Sequence, residues 1–443
     1  MTSSSTTRSQ QAAHTVPEHA VDNTAADAAS GASIAARRYV LALMALVSAS
    51  QVADRQLLSI VLEPLKREFG FSDSQMGFLS GTVFSLAYAL GALPFAILAD
   101  SWSRKRIIAA TLAFWSVFTT ATAAAASYSM LVITRALVGL GEAGAGPAML
   151  AILAARYPAD KRSGMIAVLT SVTALCGFAA FWAAGAIVEH LGWRPLFLIF
   201  GVPGLLLAAV IWLTVDEPEP AATARSPVLF AEVGSALVGG AMLHLFAAAA
   251  WNGIISGSIQ SWLATYLVRT YSMSFSYVGF WMGLYAATSG IAGALAGGFL
   301  ANRLERRWPS GGIRLSIGAL ALNVPLSVAM FTVPAAPAAV ALMLASGFAF
   351  GMAAPAISAQ LLGLMPERTR ATTMAVVSMG VLLVAGLGAA LAGMVSDWAN
   401  AHGHANGLRV ALLLAAGLGV MPVLHLLTMA RRVHAGTSFG AAG

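Results

Sequence analysis

The chain has 443 residues, 58% of them hydrophobic and only 10% charged, with a net charge of +7. A soluble globular domain is about a quarter charged, and an outer-membrane barrel would show short stretches of alternating polarity instead of long apolar runs. The composition therefore reads as an all-α membrane protein, and the basic residues, gathered in short loops, read as a topology signal with no nucleic-acid partner. The single cysteine, Cys176, excludes an intrachain disulfide and sits in an apolar run as a packing residue.

Residues 1–36 are rich in Ser, Thr and Ala with scattered acids and lack the basic start and apolar core of a signal peptide; they read as a disordered cytoplasmic tail. Apolar stretches of about 20 residues, each enough to cross a bilayer of roughly 30 Å, then predict twelve transmembrane helices. They lie near 38–61, 75–99, 105–126, 128–153, 163–188, 194–214, 237–268, 276–301, 312–333, 337–363, 371–396 and 408–430. The one long interior polar stretch, beginning at Asp216, divides them six and six. The expected organisation is a tail over 1–36, a six-helix bundle over 37–215, a cytoplasmic linker over 216–236, a second six-helix bundle over 237–432 and a short tail over 433–443.

With the N-terminus in the cytoplasm, 18 of the 25 lysines and arginines fall in cytoplasmic segments and five in outer loops. By the positive-inside rule both termini are cytoplasmic, in an inner or plasma membrane. The remaining two, Arg55 and Arg135, lie inside spans, as do the carboxylates Asp54 and Glu142. A charge at the centre of a membrane helix costs about 2.5–3.5 kcal/mol on insertion scales, so such residues face a partner or a water-filled path. At about 1.5 Å per residue, Asp54 lies roughly 24 Å above Arg38, and Glu142 and Arg135 lie roughly 21 Å and 31 Å above Arg156. All four can share one layer if the first and fourth spans touch.

The halves repeat. At one constant shift Phe71-Ser-Asp-Ser-Gln-Met-Gly-Phe78 lies over Met273-Ser-Phe-Ser-Tyr-Val-Gly-Phe280, and at a slightly larger one Gly139–Pro147 lies over Gly347–Pro355. Parallel repeats of six spans imply two bundles related by an axis along the membrane normal. The buried charges break the repeat: Asp54 and Arg55 meet Ser256 and Gly257, and Glu142 meets Phe350. Charge was placed in the first half alone.

The loop after the second span reads Ala96-Ile-Leu-Ala-Asp100-Ser-Trp-Ser-Arg104-Lys105-Arg106, and its counterpart reads Gly298-Phe-Leu-Ala-Asn302-Arg303-Leu-Glu-Arg306-Arg307. Both resemble the cytoplasmic signature of the major facilitator superfamily, departing from it at Ala96, Ser101, Ser103 and Asn302. The fourth span, Arg135-Ala-Leu-Val-Gly-Leu-Gly-Glu142-Ala, is similar to a pattern linked to proton coupling in that superfamily. Asp54-Arg55-Gln56-Leu57-Leu58-Ser59 with Glu63-Pro-Leu-Lys66 and Ser72-Asp73-Ser-Gln75 resembles its spinster-like branch.

The resemblance implies a secondary transporter with two rocking bundles. Asp100, Arg104, Lys105, Asn302, Arg303 and Arg306 would form a cytoplasmic gate, and Asp54 or Glu142 would carry the coupling proton. Arg55 or Arg135 would switch between carboxylate and substrate anion. In the second half Trp251, Asn252, Gln260, Trp262, Tyr266 and Tyr285 are candidates for the substrate cavity, set against the alternative that Trp and Tyr mark the lipid interface. As implied by the spinster-like branch, the solute is an amphipathic lipid-like molecule; the arginines equally suit an organic acid, and drug export is a third reading. No enzyme is expected: the three lysines, Lys66, Lys105 and Lys161, never follow a glycine, so no phosphate-binding loop of the ATPase kind exists. The expected partners are the bilayer, the solute and protons, with no cofactor or metal, acting as a monomer.

Overall fold

The computed structural model describes residues 33–216, 240–308, 310–365 and 370–440. The expected tail before residue 33 and the linker after Asp216 lie outside them. The first bundle is built from α1 (Ile34–Phe69), α2 (73–101), α3 (Arg104–Thr122), α4 (Tyr128–Arg156), α5 (Arg162–Leu191) and α6 (Trp193–Thr214). The second is built from α7 (Gly240–Tyr271), α8 (Phe275–Glu305), α9 (Gly311–Thr332), α10 (Ala336–Leu364), α11 (Arg370–Ala401) and α12 (407–440). Among the described residues no strand occurs. Nine of the helices, α4 to α12, are long and apolar enough to cross a membrane. The first, α1, is equally long but carries Arg37, Arg38, Asp54, Arg55 and Glu63 along its length.

The ends follow from local chemistry. Ser33, Ser103, Ser127 and Ser274 each accept a backbone N–H as N-caps, and Ser72 with Gln75 forms a reciprocal capping box. Gly70, at φ 69°, takes the left-handed conformation that closes α1. The helices overrun the expected spans, because an α-helix satisfies its own backbone hydrogen bonds beyond the apolar stretch: α1 continues through Glu63 and Lys66 to Phe69, and the last helix continues past residue 433 to Gly440.

Four of the described helices are interrupted. The second carries a π-turn at Phe78–Thr82, the eighth one at Thr288–Gly293, the fourth breaks at Ala143 and Gly144 between Tyr128–Glu142 and Ala145–Arg156, and the twelfth breaks at Leu418 and Gly419 between Gly407–Gly417 and Val420–Gly440. Such interruptions tend to sit at functional positions.

Within the first bundle α1 packs on α5, α2 and α3 on α4, and α3 on α6; within the second, α7 packs on α11 and α12, and α9 on α10. The bundles meet through α5 against α8, α2 against α11, and α1 against α7. The first two contacts are images of each other under the repeat. Both are close backbone approaches. A Cβ at Gly279 would fall 2.5 Å from the Phe181 carbonyl, and one at Gly81 2.5 Å from the Gly386 carbonyl. These contacts occupy the half of the molecule that carries Gly70, Gly192 and Ser272. The opposite half, which holds both ends of the described chain, has α8's last turns packed on α9 and α10 of its own bundle.

Candidate functional site

The break in α4 places Glu142 at a helix end, fully buried, against α1. Arg55 Nε donates to Glu142 Oε2 at 2.8 Å, with the arginine side chain 38% exposed and the glutamate 0%. Gln51, one turn earlier on α1, donates from Nε2 to the Glu142 backbone carbonyl at 2.9 Å, which fixes the break to the first helix. Glu142 Oε1 is buried with no hydrogen-bond partner, an orphan acceptor of the kind that marks a functional group or a proton position.

Arg135 and Asp54 meet differently. Arg135 Nη1 donates to the Asp54 backbone carbonyl at 3.2 Å, whereas the Asp54 carboxylate accepts from Thr119 Oγ1 of α3 at 3.3 Å. The four charges therefore share a layer, as the depth reckoning requires, but form one direct ion pair and one backbone contact. Phe84 of α2 lies between the arginines, its ring centre 5.4 Å from the Arg55 guanidinium carbon and 4.6 Å from that of Arg135, and Tyr88 stands 5.2 Å from Arg55. Each aromatic face stabilises a cation that a dry environment would otherwise penalise. Arg135 Nε, also buried, has no partner.

A cavity of about 340 Å³ lies between the bundles. Arg55 and Arg135 line it on one side, Gln260, Ser261, Tyr285 and Ser289 on the other, with Phe84, Phe181 and Met282 as apolar walls. Asp54 and Glu142 do not line it. Asp54 faces instead a small void with Thr119, Thr122 and Arg135, behind the arginine. At the repeat-related place in the second bundle a void of similar size is lined by Ser256, Gln260, Asn323 and Ser346, all uncharged.

The other candidates divide. Gln260 and Tyr285 reach the cavity. Trp262 and Tyr266 do not: both are buried in the second bundle, where the Trp262 indole donates to the Ala389 carbonyl at 2.9 Å and the Tyr266 hydroxyl to the Phe331 carbonyl at 3.2 Å. Their size and a satisfied polar tip make them core residues. Trp251 and Asn252 are half-buried on α7 and line no part of the cavity. At the loop signatures, Arg104 is the first residue of α3, followed by a half-buried Lys105, while Asn302, Arg303 and Arg306 are exposed at the end of α8; Asp100 lies in the last turn of α2.

Gln51, Phe84, Tyr88 and Thr119 escape a reading of charges because they are ordinary span residues. A larger omission is an ionic seal at the end where the bundles touch. Arg269 of α7 holds Glu63 at 2.6 Å and Asp73 at 2.9 Å, Lys66 holds Asp73 at 2.5 Å, and Arg67 holds Glu63 at 2.9 Å. Asp397 of α11 accepts the backbone N–H groups of Asp73 and Ser74 at 3.0 Å and 2.7 Å, capping the N-terminus of α2 from the opposite bundle. In the sequence these residues resemble solvated loop charges.

Residues 44–324 and 245–440 match the model of the Major Facilitator Superfamily. An MFS-type efflux pump of Mycolicibacterium smegmatis is 31% identical over 84% of this chain and 87% of its own length. A probable galactarate/D-glucarate transporter of Bacillus subtilis is 27% identical over 62% of this chain and 67% of its own. Among solved structures, a bacterial homologue of the human lysosomal transporter Spinster, inward-facing and occupied, superposes with a TM-score of 0.82 at 25% identity, covering 90% of this chain and 98% of that one. The chain belongs to the major facilitator superfamily and is a multi-pass membrane transporter.

Proposed function

We propose that this major facilitator protein is a twelve-span, proton-coupled carrier of a small organic anion, with both termini cytoplasmic and each monomer holding a complete site. The observation that carries the reading is the position of the arginines. Arg55 and Arg135 open onto the central cavity, while the carboxylates sit behind them. A carboxylate solute entering the cavity meets two cations, one of which is committed to Glu142. Protonation of Glu142 removes that competitor and frees Arg55 for the solute; release of the proton restores the ion pair and expels it. Arg135 is held by the Asp54 backbone carbonyl at 3.2 Å, a bond that protonation of a carboxyl does not release, so it serves as the fixed cation of the two.

The cavity's size supports a small solute, since ligand pockets run from about 300 to 1,000 Å³, and 340 Å³ lies at the low end. The hydroxyl and amide groups of Gln260, Ser261, Tyr285 and Ser289 give the uncharged end of the solute donors and acceptors. With the basic loops in the cytoplasm, the seal at Asp73, Arg269 and Asp397 lies outside, so the conformation is closed outward. The arginines and lysine at Arg104, Lys105, Arg303 and Arg306, with Asp100 and Asn302, would then meet when the cytoplasmic side closes. A lipid-like amphiphile is the second reading, supported by the likeness to the Spinster homologue and by the Phe84, Phe181 and Met282 walls. Proton-driven export is supported by the relation to an efflux pump.

The test is transport in proteoliposomes by Glu142→Gln. The expected result is loss of pH-driven transport with solute exchange retained. Unchanged pH-driven transport by this variant overturns the coupling role. A thermal-shift screen of small organic acids and lysolipids at two pH values separates the solute classes.

A further inference from the structure

Among the described residues a second hollow exceeds the central one. A groove of about 670 Å³ runs along the outer face of the second bundle, where α9 crosses α10 beside the end of α8. Its walls are apolar, from Leu304 and Trp308 at one end through Leu322 to Leu326, with Phe348 and Met352 opposite. One charged side chain lines it, Arg314, exposed in the first turn of α9. Arg303, Arg306 and Arg307 are exposed at the same end, and among the described residues none of the four has a carboxylate partner. The nearby acid, Glu305, is engaged: its Oε2 accepts the Gly312 backbone N–H at 2.7 Å.

We propose that this groove binds a phospholipid with an anionic headgroup, one acyl chain lying along α9 and the phosphate at Arg314. Three features point to that occupant. At about 1.5 Å per residue the groove's lining on α9, from Gly311 to Leu326, is roughly 22 Å long, enough for a chain crossing one leaflet, which is half of a hydrocarbon core of roughly 30 Å. The charge lies at one end only, as a headgroup lies on a lipid. That end is the one with the basic loops, and Trp308, 51% exposed there, has the amphipathic ring that settles at headgroup level. Basic pockets between helices at the cytoplasmic face suit anionic headgroups. The groove faces away from the central cavity and shares no lining residue with it, so this site is distinct from the solute site. The inference rests on the membrane orientation proposed above and is independent of the solute.

Delipidated full-length protein in detergent is titrated with fluorescent phosphatidylglycerol and phosphatidylcholine of identical chains. The wild type is expected to prefer phosphatidylglycerol by about fivefold or more, the contribution of one arginine at a lipid surface. Arg314→Gln should abolish most of that preference while still binding both lipids. A Cβ at Gly318 meets nothing within 4 Å, so Gly318→Leu fills the groove without a clash and should weaken both lipids, with the lipid-free melting temperature unchanged or raised. Equal binding of the two lipids by the wild type, or an undiminished preference in Arg314→Gln, means unselective boundary lipid only and overturns the proposal. Because the readout is binding in detergent, it stands or falls apart from any transport result.

Discussion

Arg269 of the second bundle donates Nη1 and Nη2 to the two carboxylate oxygens of Asp73 in the first, each at 2.9 Å. This bidentate pair crosses the bundle interface with Asp73 fully buried, a geometry in which planar guanidinium and carboxylate match atom for atom.

Asp73→Asn should open the seal. Breaking a buried pair by removing one partner costs about 3–5 kcal/mol; Glu63 keeps its hold on Arg269, so the effect should fall at the lower end. With Cys176 replaced by Ala and Ser80→Cys introduced in the cavity lining, labelling by a membrane-impermeant thiol reagent from outside should quicken by at least about tenfold. Labelling at the parent rate would show that the apolar contacts alone close this end.

The seal should not respond to pH in the neutral range. Burial pushes the Asp73 carboxyl up, but Arg269 and Lys66, with Ser396, outweigh it and hold the group below the usual carboxylate range. A depressed folded-state pKa contributes stability that is present above the ordinary value, about 3.9, and is lost as pH falls through the depressed one. Outside accessibility at Ser80→Cys should thus stay level from pH 8 down to about pH 5. A rise near pH 6 would place the proton-sensing group at the seal.

Trp262 and Tyr285 should separate core from cavity. Trp262→Ala removes a fully buried indole and should cost about 3–5 kcal/mol of stability, read as a lowered melting temperature, with solute affinity in the surviving protein near wild type. Tyr285→Phe leaves packing intact and removes a hydroxyl at the cavity, and should weaken solute binding by about tenfold, the worth of one hydrogen bond. The reverse pattern would put the solute against Trp262.

Gly279→Leu should be poorly tolerated, because the Phe181 carbonyl leaves no room for a side chain. Overpacking of this kind costs about 1–3 kcal/mol, and here the strain falls on the closed interface, so the variant should favour the outward-open form in the same labelling assay.

Arg55→Lys should not rescue function. Lysine keeps the charge but lacks the planar face that lies near Phe84 and Tyr88 and the fixed donor aimed at Glu142. Solute affinity should fall by at least about tenfold on loss of one charged hydrogen bond, measured by binding at saturating proton concentration.

Much of the fold could be read from the chain because apolar length and basic loops report directly on a bilayer. The four buried charges stood out for the same reason: a charge inside an apolar run has no other explanation. Their pairing was less legible. Sequence spacing gives height along a helix but not azimuth, so it could not tell that Arg135 would bond the Asp54 backbone and leave the carboxylate to Thr119. Trp262 and Tyr266 misled because an aromatic with a polar tip fits a ligand wall, a lipid interface and a core equally well until its neighbours are known. The seal was hidden for the opposite reason: Asp73, Arg269 and Asp397 lie where water is expected, and only the approach of the bundles takes them out of it.

The seal's composition has an electrical consequence. The first bundle contributes Glu63, Asp73, Lys66 and Arg67, two charges of each sign, and the second contributes Arg269 and Asp397, one of each. Either face is neutral by itself. When the bundles part, no net charge travels through the membrane field, where one elementary charge would gain or lose about 2.3 kcal/mol per 100 mV. Opening this end is therefore a voltage-silent step, and a dependence of transport on membrane potential has its source elsewhere in the cycle.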